Sequence, residues 1–149
     1  MPQSFGVHNA HFVFSTKNRE PWIREEWAED LYRFIAGVVV EHKSLLIASG
    51  GVADHIHLLI SMARDVNSSD MMRVVKSYSS RWVHTNHPDL SFLWQVGYAS
   101  IGIGIERVDG IRAYIARQKE HHATQSFQDE YRQILRENDQ VWDERYVWD

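Results

Sequence analysis

The spacing of hydrophobic positions changes period several times along this chain, and each change marks a predicted element. Residues 7 to 16 alternate apolar and polar side chains, the period of a strand. From 22 to 42 the spacing becomes helical, with Trp27, Leu31, Phe34, Ile35 and Val38 on one apolar stripe. Residues 45–52 and 55–61 read as two strands joined by a tight turn at Ala53 and Asp54. Asn67 or Ser68 can cap a second long helix over 70–84. After Pro88 and a mixed loop come a fourth strand around 98–105, a helix over 107–122 and a short helix over 127–137. The order β-α-β-β-α-β predicts an α+β fold on the split β-α-β, ferredoxin-like plan. No repeat, low-complexity tract or long linker interrupts the chain, so residues 1–149 are expected to form one domain.

Composition narrows the setting. With no cysteine, disulfides and thiolate metal sites are excluded, and a reducing cytoplasm is the simplest expectation. No apolar run approaches the roughly 20 residues of a membrane span, and the first residues lack a charged-then-apolar signal pattern. The net charge of -4 is unhelpful for a nucleic-acid partner. Its distribution matters more. Acids crowd Glu25, Glu26, Glu29 and Asp30 and the segment after Gln128, while bases gather at Lys17, Arg19 and Arg24, at Arg73, Lys76 and Arg81, and at Arg107, Arg112, Arg117 and Lys119.

Candidate chemistry centres on Asp54-His55-Ile56-His57-Leu58-Leu59-Ile60. In a strand His55 and His57 point to one face and Ile56 to the other, so two imidazoles stand side by side on a rigid element. That is half of a divalent-metal site. Tyr114 and Gln118, four apart in the predicted helix, share one helix face. Taken singly, each has a bland reading. A His-x-His pair is commonly two polar residues on an exposed face, and Tyr114 fits an apolar stripe with Ile111 and Ile115.

The surrounding text alters that weighing. His11-Phe12-Val13-Phe14-Ser15-Thr16-Lys17-Asn18-Arg19 is followed by Pro21, and Gly50-Gly51-Val52-Ala53 leads into the His pair. Later come Trp94-Gln95-Val96-Gly97-Tyr98, then Tyr114-Ile115-Ala116-Arg117-Gln118-Lys119-Glu120-His121-His122, then Phe127 and Glu130. In this order and spacing the blocks resemble the single-tyrosine HUH transposases of small bacterial insertion sequences and their domesticated relatives, the REP-associated tyrosine transposases.

The resemblance implies an antiparallel sheet with helices on one face and an additional C-terminal helix laying the catalytic Tyr114 across the histidines. It implies a divalent cation, Mg²⁺ or Mn²⁺, held by His55, His57 and Gln118. Tyr114 would attack a DNA phosphate, leaving a 5′-phosphotyrosine and a free 3′ hydroxyl that later rejoins strands. The implied partners are single-stranded DNA with hairpins and a second copy of the chain, as a homodimer with the tyrosine acting in its own site or its neighbour's.

Around this core, Asp54 is a candidate for orienting an imidazole or simply a turn former, and Glu120 a candidate for positioning water or metal. His121 and His122 point about 100° apart on a helix and so do not easily share an ion; contact with DNA or helix capping suits them better. His8 and His11, three apart in a strand, face opposite sides and do not form a pair. Lys17, Arg19, Arg73, Lys76, Arg112 and Arg117 are candidates for phosphate contacts, and Trp94 and Tyr98 for base stacking or for packing. Gly102, Gly104 and Gly110 suit a movable attachment of the tyrosine helix. The segment 100–105 is richer in glycine than in the relatives. The aromatic tail ending Val147-Trp148-Asp149 either packs on the sheet edge or marks the REP-associated type. Three functions fit: a transposase, a domesticated nickase on repeat hairpins, or a silent DNA-binding module. The last would be marked by loss of His55, His57, Tyr114 or Gln118, and all four are present.

Overall fold

Alternation in the first segment produces β1 (His8–Ser15), the inner strand on which the sheet is assembled. The computed structural model describes residues 2–149. β2 (Leu45–Val52) and β3 (His55–Met62) form a hairpin whose two-residue turn is Ala53–Asp54, and β4 (Ala99–Ile103) closes the other edge. All pairings are antiparallel in the order β2-β3-β1-β4, the ferredoxin-like order. His57 lies opposite Val13 on one side and Gly50 on the other.

Both faces of the inner strands are covered. Ala10, Phe12 and Phe14 of β1 and Ile56, Leu58 and Ile60 of β3 pack against α1 (Glu25–Glu41) and α2 (Ser68–Asn86). The stripe of Trp27, Leu31, Ile35 and Val38 supplies α1's share of that core. Asn67 caps α2, its side chain accepting from the Asp70 amide at 2.8 Å. The opposite face carries Val13 and Ala99 against Phe127 and Tyr131 of α5 (Phe127–Glu137), and Leu59 and Ile103 against Ile115 of α3 (Val108–Ala116). Between these two apolar patches the sheet presents His11, His55 and His57, all buried.

Two expectations are corrected. The helix over 107–122 is not continuous: α3 ends at Ala116, Arg117 leaves helical geometry, and the one-turn α4 (Gln118–His121) follows. Tyr114 and Gln118 therefore lie on different short helices. No described glycine has positive φ, and a Cβ at Gly102 or Gly110 would meet nothing, so these positions show no backbone need for glycine. Gly50 is the glycine that seats α3. A Cβ there would stand 2.6 Å from the Ile115 carbonyl oxygen, so its bare backbone lets the end of α3 rest on β2 beside the His pair.

Lys76 belongs to the fold and not to an open basic surface. Its ammonium donates to the carbonyls of Gln95, Val96 and Gly97 at 2.9, 2.9 and 2.7 Å, and burial pulls its pKa down to about 8. Trp94 is buried, with Nε1 donating to Ser79 Oγ at 2.9 Å, and Tyr98 packs on the same core. The tail packs too: Trp148 lies against Phe127 and Tyr131, and the Asp149 carbonyl accepts from the Gly97 amide at 2.8 Å. Among the described residues no helix is long and apolar enough to cross a membrane.

Candidate active site

One buried carboxylate organises the polar patch on the second face. Glu130 stands in the first turn of α5, on the same stripe as Phe127, Tyr131 and Ile134, and is 1 % exposed. Its two oxygens serve different partners. Oε1 lies 3.0 Å from His57 Nε2, 3.3 Å from His55 Nε2 and 2.8 Å from His122 Nε2. Oε2 accepts from the Tyr114 hydroxyl and, at 3.3 Å, from Gln118 Nε2. His121 Nε2 also lies 3.3 Å from Oε2 but at an angle that makes no hydrogen bond.

The imidazoles are anchored from behind. Asp54 Oδ1 is 2.7 Å from His55 Nδ1, and the Gln125 carbonyl is 2.6 Å from His122 Nδ1. Both acceptors lack a hydrogen, so both Nδ1 atoms carry the proton. A neutral His55 or His122 then turns a bare Nε2 lone pair toward Glu130 Oε1, and His55 does the same toward Gln118 Oε1 at 3.2 Å. Lone pairs facing a carboxylate repel unless a cation lies among them, whether a proton on a ring or a metal ion. Four atoms, one each from His55, His57, His122 and Glu130, lie within 4.8 Å of one another. This donor set of imidazoles and a carboxylate fits a divalent transition-metal ion.

Electrostatics follow the same geometry. Burial opposes charge on Glu130, yet its close contacts with the His122, His55 and His57 rings outweigh it and hold the carboxyl well below its usual range. Burial likewise opposes charge on His55, but its bonds to Asp54 and Glu130 raise its pKa above the ordinary value. His57 is pulled down to about 4 and His11 to about 3, in both cases chiefly by burial. Burial, reinforced by the neighbouring Glu130 charge, pushes the Tyr114 hydroxyl up. The resting tyrosine is protonated.

The sequence-derived site residues fall into three groups. His55, His57, Tyr114, Gln118, Asp54 and His121 come together here, joined by His122. Glu120 is exposed and outside the cluster. Among the basic candidates, Lys17, Arg112 and Arg117 are exposed, while Arg19 is partly buried with its guanidinium 5.7 Å from the Trp148 ring. Arg73 and Lys76 sit on α2, which covers the opposite face of the sheet, so they do not line this site. Sequence reasoning missed the part played by Glu130 and His11. An acid on the apolar stripe of α5 was the available signal for the first. A cavity of about 510 Å³ opens beside the cluster, bordered by His11, Arg107, Ile111, Tyr114, Glu130 and Gln133.

Comparison with known proteins agrees in fold and family. Residues 4–118 match the family described as "Transposase IS200 like". That segment contains His55, His57, Tyr114 and Gln118 and stops short of His122 and Glu130. The fold is similar to the crystal structure of a candidate transposase from Deinococcus radiodurans R1, with a TM-score of 0.64, 22 % identity and coverage of 79 % of this chain and 98 % of that one. It is also similar to a REP-associated tyrosine transposase bound to a REP hairpin, with a TM-score of 0.61, 17 % identity and coverage of 82 % and 74 %. No curated protein matches the sequence.

Proposed function

Because this chain belongs to the IS200-like transposase family, we propose that it cuts and rejoins single-stranded DNA at hairpin-marked sites through a covalent 5′-phosphotyrosine on Tyr114. The observation that carries this reading is the convergence of the Tyr114 hydroxyl and three imidazoles on the single carboxylate of Glu130. The solved relative bound to a REP hairpin supports a hairpin substrate.

His55, His57, His122 and Glu130 would hold a divalent cation, Mg²⁺ or Mn²⁺, with the Gln118 oxygen close enough to join them. Once bound, such an ion would draw charge from the scissile phosphate and ease departure of the 3′ oxygen. The protein's own groups do the rest. Tyr114 Oη forms the new bond to phosphorus, the bond from phosphorus to the 3′ oxygen breaks, and the released 3′ oxygen takes a proton from water and remains available for rejoining as a hydroxyl. Glu130 Oε2, already accepting from Tyr114, is placed to receive the proton. The cavity bordered by Tyr114 and Arg107 offers room for the strand beside the nucleophile.

The test uses hairpin-bearing single strands from the flanks of the gene, labelled at either end and incubated with protein and Mg²⁺ or Mn²⁺. A cation-dependent, protease-sensitive adduct on the 5′ end of the downstream fragment is the expected product. Tight hairpin binding with no adduct from any flank would favour a silent binding module. Gly50→Ala probes how the tyrosine is placed. Its methyl would push the end of α3 off β2, so cleavage is expected to fall on the order of 10²-fold. Hairpin affinity, followed by gel shift, should stay as in the wild type.

A further inference from the structure

Two of the three imidazoles that face Glu130 Oε1 have anchors of fixed polarity, a carboxylate behind His55 and a carbonyl behind His122. The third, His57, is fully buried, and behind it stands another histidine. His11 Nε2 lies 2.8 Å from His57 Nδ1, with the two rings stacked at 25° and 5.0 Å between centroids. Strand register explains the contact. His57 is opposite Val13 and Leu59 is opposite His11, so His11 sits one diagonal step away on the same face of the sheet. It is 4 % exposed, on an inner strand, with little freedom to turn elsewhere.

A contact between two ring nitrogens at this distance holds a single proton. If His11 donates it, His57 must carry its own proton on Nε2, pointing at Glu130, and that nitrogen cannot ligate a metal. If His57 donates it, His57 Nε2 is bare and turned inward, matching His55 and His122. We infer that His11 is a positioning residue, accepting the Nδ1 proton of His57 and so presenting the Nε2 lone pair to the cation. All three imidazoles are then set by the same device, a partner that accepts at Nδ1, but this one is supplied by β1. The inference rests on the cation site proposed above.

The experiment measures Mn²⁺ binding to the full chain by the spin-resonance signal of the free ion, without DNA. His11→Leu is expected to weaken Mn²⁺ binding by about 10–100-fold, the usual cost of losing such a partner. His11→Gln, whose amide oxygen can accept the same proton, should recover most of that loss. In ¹⁵N spectra of the protein loaded with diamagnetic Mg²⁺ the His57 proton should reside on Nδ1, and His11→Leu should shift this balance. Should the leucine variant fail to fold, His11→Phe keeps a ring and removes only the nitrogens. A folded leucine or phenylalanine variant with wild-type affinity would overturn the inference, as would a glutamine variant no better than leucine. A wild-type chain that ignores Mn²⁺, or binds it equally well after His57→Ala, would instead remove the cation site itself and this role with it.

Discussion

Tyr114→Phe is expected to eliminate the protein–DNA adduct and to lower strand cleavage by at least about 10³-fold, the order lost when a nucleophile is removed. The substitution takes away one oxygen and little else. The ring, 5.7 Å from the His57 ring and 5.4 Å from that of His121, keeps its packing in the phenylalanine variant. Glu130 loses the hydroxyl donor and retains Gln118 and the imidazoles. Loss of one hydrogen bond should cost about 1 kcal/mol of folding stability, measurable by urea unfolding. Hairpin affinity should not change. An adduct formed by the phenylalanine variant would mean that another residue attacks, and loss of hairpin binding would make Tyr114 a structural residue.

The second large effect is expected from Glu130→Gln. The amide places an N–H where a carboxylate oxygen now faces either the imidazoles or Tyr114, and removes the negative charge in both cases. Cation affinity should fall about 10–100-fold, and cleavage should fall further because Tyr114 also loses its acceptor. Binding of Mn²⁺ and thermal unfolding, measured on the same samples, separate two accounts. If Glu130 were only a pillar joining α5 to the sheet, the variant would melt earlier yet bind Mn²⁺ normally while folded. Weakened binding at a temperature where the variant is fully folded is the result predicted here.

How far the fold and the site were legible in the sequence follows from how local each signal is. The β2–β3 hairpin, α5 and the cap at Asn67 rest on neighbours within a few residues, and they fall close to their expected places. His55 and His57 share a face because strand alternation is a local rule. The helix rule failed at Arg117, where a break invisible to periodicity separates Tyr114 from Gln118, and the two meet again at Glu130. His11 and Glu130 were out of reach for a different reason. Each gains its role from strands and helices brought together by topology, and spacing along the chain says nothing of that. Arg73 and Lys76 show the same limit: periodicity predicts their helix but not which side of the sheet it covers.

His57 and Glu130 are 73 positions apart, whereas His55 and His57 belong to a hairpin turned by two residues. During synthesis from the N-terminus, the histidines can therefore be in place while the carboxylate is still inside the ribosome. Tyr114, too, emerges before its acceptor. The cluster is complete only when α5 docks. The order of synthesis therefore fixes the order of assembly: the sheet offers its histidines first, and the carboxylate that gathers them is the last part to dock.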